Sequence, residues 1–105
     1  MSIATITKNN FNAEVLHSEK PVLIDFWAAW CGPCRMISPT VEQIAGEVPA
    51  VKVGKLNVDE QPELAGRFGV MSIPTLIIFK DGKPVKQIVG VQGKPAILNA
   101  INSVL

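Results

Sequence analysis

The sequence predicts an α/β fold: a mixed five-stranded sheet in the order βαβαβαββα, with four helices distributed over both faces. Three observations carry that expectation. Strand-like and helix-like segments alternate along the 105 residues. The run Val22-Leu23-Ile24-Asp25-Phe26-Trp27-Ala28 is apolar without period-two alternation, as in a strand covered on both faces. Asp81-Gly82 stands between two β-prone runs as a hairpin turn, so the last two strands are antiparallel.

Ser2 to Ile6 is a short β-prone segment. Thr7 is placed to cap a helix whose apolar positions Phe11, Val15 and Leu16 recur at helical spacing. The Val22–Ala28 run is the central strand. After Trp30-Cys31-Gly32-Pro33-Cys34 comes a helix with Ile37, Val41, Ile44, Ala45 and Val48 on one face, and Pro39 inside it frees the carbonyl of Arg35. Val51 to Val58 reads as the next strand. Asp59 or Glu60 caps a short helix with Pro62 in its first turn and Gly69 as terminator. Thr75 to Lys80 is an apolar strand, and Val85 to Val91 returns beside it, with Pro84 suited to a sheet edge. Ile97, Ile101, Val104 and Leu105 mark a closing amphipathic helix.

Composition excludes several classes. The length suits one domain over residues 1–105. With 48% hydrophobic and 18% charged residues and a mean hydropathy of +0.29, the chain can bury a core and is not disordered. Its longest apolar stretch, Val22 to Cys31, is too short for a membrane span and contains Asp25. A net charge of +1 without a basic stripe argues against nucleic acid as a partner. Met1-Ser2-Ile3 shows no charged-then-apolar leader, so a cytoplasmic location is expected. Nothing demands an oligomer, and a monomer is expected.

The two cysteines, Cys31 and Cys34, are separated by Gly32-Pro33. Pro33 fits the first turn of a helix, which leaves Cys31 at the cap. There the helix dipole and unpaired N–H groups favour a thiolate and lower the thiol's pKa. Cys34 shares the inward face of Ile37 and Val41. Cys31 is therefore expected to be exposed and nucleophilic, and Cys34 shielded. Such a pair performs dithiol–disulfide exchange: Cys31 attacks a substrate disulfide, and Cys34 resolves the mixed disulfide. Other uses of the pair fit less well. A structural disulfide over so small a loop adds about 2 kcal/mol, which an apolar core hardly requires. Zinc needs four ligands, yet only one histidine is present, His17, so no metal site is expected. Haem attachment needs histidine where Arg35 stands.

Asp25-Phe26-Trp27-Ala28-Ala29-Trp30-Cys31-Gly32-Pro33-Cys34-Arg35 resembles the active-site signature of the thioredoxin family, of the Cys-Gly-Pro-Cys type. Ser72-Ile73-Pro74-Thr75 is similar to its cis-proline segment, and Val89-Gly90-Val91 to its substrate-groove glycine loop. The likeness covers the chain from about Ile3 to Leu105. It implies the thioredoxin fold and a general protein-disulfide reductase and electron carrier. No bound cofactor is implied: a Cys31–Cys34 disulfide is redox-active, and a separate thioredoxin reductase supplies electrons. Disulfide-containing proteins would be the substrates.

The resemblance also implies a cis bond at Pro74, although a proline opening a strand does not by itself require one. Gly32 and Pro33 then belong to the catalytic loop, and Trp30, Met71, Ile73, Pro74, Gly90 and Val91 to the docking surface for an extended substrate segment. Asp25, inside a buried strand, should have its pKa raised. It can serve as proton acceptor for Cys34 through a water, or sit there satisfied by a neighbouring lysine or hydroxyl. Lys55, on the adjacent strand, is either its tuning partner or a lysine reaching for solvent. Trp27 packs under the loop, and His17 lies at a helix end without a catalytic part.

Two departures stand out: Met71-Ser72 where many relatives carry Arg-Gly or Arg-Ser, and Phe68 where tyrosine is frequent. Gly32-Pro33 resembles the reducing members rather than the oxidases or isomerases, which carry histidine before the second cysteine. A third reading is a redox-independent binding subunit using the same surface.

Overall fold

A computed structural model describes residues 3–105. Five strands form one sheet: β1 (Ala4–Thr5), β2 (Val22–Trp27), β3 (Lys52–Asn57), β4 (Thr75–Lys80) and β5 (Lys83–Val89), in the spatial order β1-β3-β2-β4-β5. β1, β3 and β2 run parallel, and β4 and β5 extend the sheet by antiparallel pairing. Three α-helices, α1 (Gly32–Glu47), α2 (Pro62–Arg67) and α3 (Lys94–Asn102), and one π-helical segment, Asn12–Leu16, complete the fold.

The unbroken apolar run of β2 is explained by its central place, because alternate residues serve two cores. Val22, Ile24 and Phe26 join Phe11, Val15, Leu56, Leu64 and Phe79 beneath the π segment and α2. Leu23 points the other way, with Ile37, Val41 and Ile44 of α1 and Ile97 and Ile101 of α3. By the same alternation Asp25 lies on the α1 side. Both parallel strands β2 and β3 end at the edge where α1 begins, and that edge holds the cysteines.

Several elements depart from the sequence expectation. Ser2, part of the expected first strand, lies outside the described residues; β1 is two residues long, and Ile6 succeeds it as a buried residue. Thr7 caps no helix. Its hydroxyl accepts from the Asn9 N–H at 3.2 Å, and its own N–H donates to Asn10 Oδ1 at 2.7 Å. These bonds close a turn that delivers Phe11 into the core, against Phe68 and Phe79 with ring centroids 5.4 and 5.9 Å away. The chain then enters the π segment, in which the His17 N–H reaches back to the Asn12 carbonyl at 3.0 Å. The first of the four helices expected from sequence is therefore π-helical and not an α-helix, with Phe11 and Val15 buried as their spacing implies.

Asp59 and Glu60 do not cap α2. Asn57 Oδ1 accepts both of their N–H groups, at 2.9 and 3.3 Å, and Gln61 occupies the cap position. Gly69, at φ 67°, ends the helix as expected. The hairpin at Asp81-Gly82 has positive φ at both residues, 53° and 78°. β5 stops at Val89 instead of Val91, because Gly90 turns the chain at φ 85° and donates its N–H to the Pro74 carbonyl at 2.9 Å.

Candidate functional site

Cys31 is the N-cap of α1, with extended backbone (φ −90°, ψ 109°), and Pro33 stands in the first turn. The Cys34 N–H donates to Cys31 Sγ at 3.1 Å, so the sulfur takes the place of a capping oxygen. Cys31 and Cys34 are joined as a disulfide across the first turn. The positive end of a sixteen-residue helix lies at Cys31, with no acidic side chain in the first turn to offset it.

The expected exposure of Cys31 is not found. Cys31 and Cys34 are equally buried, each 3% exposed. The Ser72–Pro74 segment folds over the pair: the Ile73 carbonyl oxygen lies 3.8 Å from Cys31 Sγ, and Ile73, Val58 and Trp27 pack against Ala28 and both cysteines. Sequence spacing places Cys31 outside its own helix, but the cover comes from residues some forty positions later. The inequality of the sulfurs is one of surroundings. Cys31 accepts an N–H at the helix end, whereas Cys34 borders a cavity of about 160 Å³ shared with Trp27, Arg35, Ser38 and Lys55.

The Ile73–Pro74 bond is cis. Pro74 is buried, Ile73 half-buried, and Met71 almost entirely exposed at 96%. Thr75 Oγ1 donates to the Ser72 carbonyl at 2.6 Å and ties the segment to β4. Trp30, 68% exposed, is fixed by its indole N–H, which donates to Asp59 Oδ2 at 2.8 Å. Trp30, Met71 and Ile73 meet around a second cavity of about 260 Å³, to which Val58, Val70 and Ser72 also contribute. Gly90 joins the group through its bond to Pro74, and Val91 comes next as an exposed apolar residue. Gly32 is half-buried, and Pro33 is exposed beside the disulfide.

Asp25 is fully buried, and neither carboxylate oxygen has a hydrogen-bond partner among the described residues. Burial pushes its pKa from 3.8 up to about 6, and the Lys55 charge opposes that rise. Asp25 and Lys55 are register partners on β2 and β3. Yet the Lys55 ammonium donates to Ser38 Oγ at 3.1 Å and lies 5.2 Å from the centre of the Trp27 ring. The alternative in which a neighbouring lysine or hydroxyl satisfies Asp25 is therefore not what the structure holds. His17 is exposed at the end of the π segment, remote in the fold from the cysteines. Phe68 stacks within an aromatic trio with Phe11 and Phe79 and needs no hydroxyl there.

Sequence reasoning misses Ser38, Asp59, Val58 and Val70. Ser38 carries one signal: it is one helical turn beyond Cys34 and so shares its face. Asp59 carries none, since its bond to Trp30 spans a loop closure.

The thioredoxin family model matches residues 2–103 of the chain. A thioredoxin of Mycobacterium tuberculosis is 54% identical over 101 residues, 95% of this chain and 87% of the relative. A thioredoxin of Alicyclobacillus acidocaldarius is 53% identical over 102 residues, 96% of each. The chain belongs to the thioredoxin family. Its Cys31–Cys34 pair is the redox-active disulfide of a thioredoxin-type protein-disulfide oxidoreductase, and the protein is a thiol–disulfide reductase. A bifunctional thioredoxin reductase/thioredoxin of Mycobacterium leprae is 52% identical over 101 residues, which are 22% of that protein. No helix among the described residues is long and apolar enough to cross a membrane. No group of three histidine, cysteine or acidic side chains among them is placed to hold a metal.

Proposed function

We propose that this single domain is a general carrier of reducing equivalents, in which Cys31 attacks and Cys34 resolves. The observation that carries the assignment is the Cys31 sulfur at the cap of α1, accepting the Cys34 N–H at 3.1 Å. In the reduced protein that position stabilises a thiolate on Cys31. The thiolate attacks one sulfur of a substrate disulfide, the substrate S–S bond breaks, and one substrate thiolate leaves. The mixed disulfide is then resolved. Cys34 gives its proton through a water to the Asp25 carboxylate and attacks Cys31 Sγ, and the second substrate thiolate departs. Two electrons pass to the substrate, whose two thiolates take up one proton returned by Asp25 and one from solvent, and the Cys31–Cys34 disulfide forms.

Asp25 suits the acceptor role because burial raises its affinity for a proton into the working range. Lys55 moderates that affinity by its charge. The substrate segment lies along the edge formed by Trp30, Met71, Ile73 and Gly90, where the Ile73 backbone is available for pairing. A thioredoxin reductase returns the electrons, and the fusion of the two activities in one relative supports that partnership. The working site is the cytoplasm, and the working form a monomer.

Cys34→Ser should trap covalent complexes with protein disulfides on non-reducing gels, and Cys31→Ser should not. Trapping by Cys31→Ser alone would reverse the two roles.

A further inference from the structure

The polar contacts around the resolving cysteine extend beyond Asp25 and Lys55. Lys55 and Asp25 are paired in register on neighbouring parallel strands and share the face under α1, so direct ion pairing is the obvious arrangement. It is not adopted, since both Asp25 oxygens are without partners among the described residues. The ammonium is drawn instead to Ser38 Oγ, 3.1 Å away, and the Ser38 hydroxyl in turn donates to Glu42 Oε2 at 3.4 Å. Cys34, Ser38 and Glu42 succeed one another at four-residue spacing on α1, and Cys34, Ser38 and Lys55 line the same cavity of about 160 Å³.

We propose that Ser38 is a positioning residue for the resolving step: its hydroxyl, braced by Glu42, holds the Lys55 ammonium at the cavity beside Cys34 and away from the Asp25 carboxylate. This rests on the reading of Asp25 as proton acceptor. The consequence is electrostatic. A lysine ion-paired to Asp25 would favour the ionised carboxylate and make it a poor acceptor, whereas a lysine held at a remove leaves burial as the dominant influence.

The groups facing Asp25 allow this control. β3 brings Lys55, and β4 brings the apolar Leu76 opposite Asp25. α3 packs on this side through Ile97 and Ile101. At the cavity that Lys55 borders, α1 contributes Cys34, Arg35 and, through Ser38, Glu42; the Arg35 guanidinium donates to the Ala29 carbonyl at 2.8 Å. Among the described residues, Lys55 is the cation whose register position adjoins the carboxylate while its ammonium lies at the cavity, over the Trp27 ring and anchored by Ser38.

The test compares wild type, Ser38→Ala and Ser38→Thr in the disulfide form by a ¹³C NMR titration of the Asp25 carboxyl. Ser38→Ala releases Lys55 towards Asp25 and should lower the titration midpoint by about one pH unit, within the range for a new opposite charge nearby. Ser38→Thr, which keeps a hydroxyl, should restore the wild-type midpoint. Glu42→Ala, at an exposed position, should move it in the same direction by less and serves if Ser38→Ala does not fold. The kinetic counterpart is stopped-flow release of the second thiol after mixing reduced protein with an aromatic disulfide. Its acid limb should move down with the NMR midpoint. An unmoved midpoint in a folded Ser38→Ala protein, or a Ser38→Thr protein that behaves like Ser38→Ala, overturns the proposal. Asp25→Asn separates the two levels: if it leaves the acid limb in place, Asp25 is not the acceptor, while the NMR midpoint still decides whether Ser38 positions Lys55.

Discussion

Replacing Asp25 by Asn removes a charge that the folded protein holds at a loss. The Asp25 carboxyl is fully buried with no hydrogen-bond partner among the described residues, and its pKa rises from 3.8 to about 6 on folding. A raised carboxyl binds its proton more tightly in the folded than in the unfolded chain, so stability falls as pH rises between these two values. Well below the unfolded value of 3.8, at about pH 3 or lower, the carboxyl is neutral in both states and the penalty is absent. Above pH 6 to 7 it is ionised in both, and the folded state is the poorer by about 3 kcal/mol, at about 1.4 kcal/mol per pH unit of displacement. Asn keeps the shape and stays neutral throughout. The Asp25→Asn protein, with its disulfide intact, should match wild type only at about pH 3 and below and exceed it by about 3 kcal/mol at pH 8. Urea denaturation at a series of pH values reads this directly. With a slope of about 1–3 kcal/mol per molar urea for a small protein, the midpoints should separate by roughly 1 to 3 M at pH 8 and converge on acidification. Parallel curves across the whole pH range would refute the reasoning, because they would mean that Asp25 ionises in the fold as easily as in the unfolded chain.

Packing and placement set three further outcomes. Gly54→Ala should destabilise by about 1–3 kcal/mol in chemical denaturation, since an added Cβ would stand 2.7 Å from Ile6 Cγ1 under a paired strand. Ile44→Ala, at a fully buried position of α1, should cost about 2–5 kcal/mol by the same measurement and leave the pH dependence of stability unchanged. Trp30→Ala removes the exposed indole that frames the cavity beside Ile73. It should raise KM for a protein disulfide several-fold while the rate with a small aromatic disulfide stays close to wild type.

Much of the fold is legible in the sequence because burial writes itself into local pattern. The two-sided run of β2 announces a central strand, Asp81-Gly82 a hairpin, and Gly69 the end of a helix. The Asn12–Leu16 segment reads as an ordinary helix because the spacing of Phe11 and Val15 says that both are buried, not how the backbone between them winds. Asp59 and Glu60 have the chemistry of caps, yet Asn57, reaching forward from the end of β3, takes both of their N–H groups.

The site divides along the same line. Sequence alone determined the disulfide pair, its place at the start of a helix and the presence of an acid within a buried strand, because each depends on residues close together in the chain. The tertiary structure decided what surrounds them. Cys31 is covered because the Ile73–Pro74 segment, far along the chain, folds across it. The Asp25 carboxylate has no partner among the described residues while the neighbouring strand's lysine bonds Ser38, an arrangement set by the packing of α1 on the sheet. Local chemistry named the reacting groups, and long-range packing set the dielectric and the charges that govern their protons.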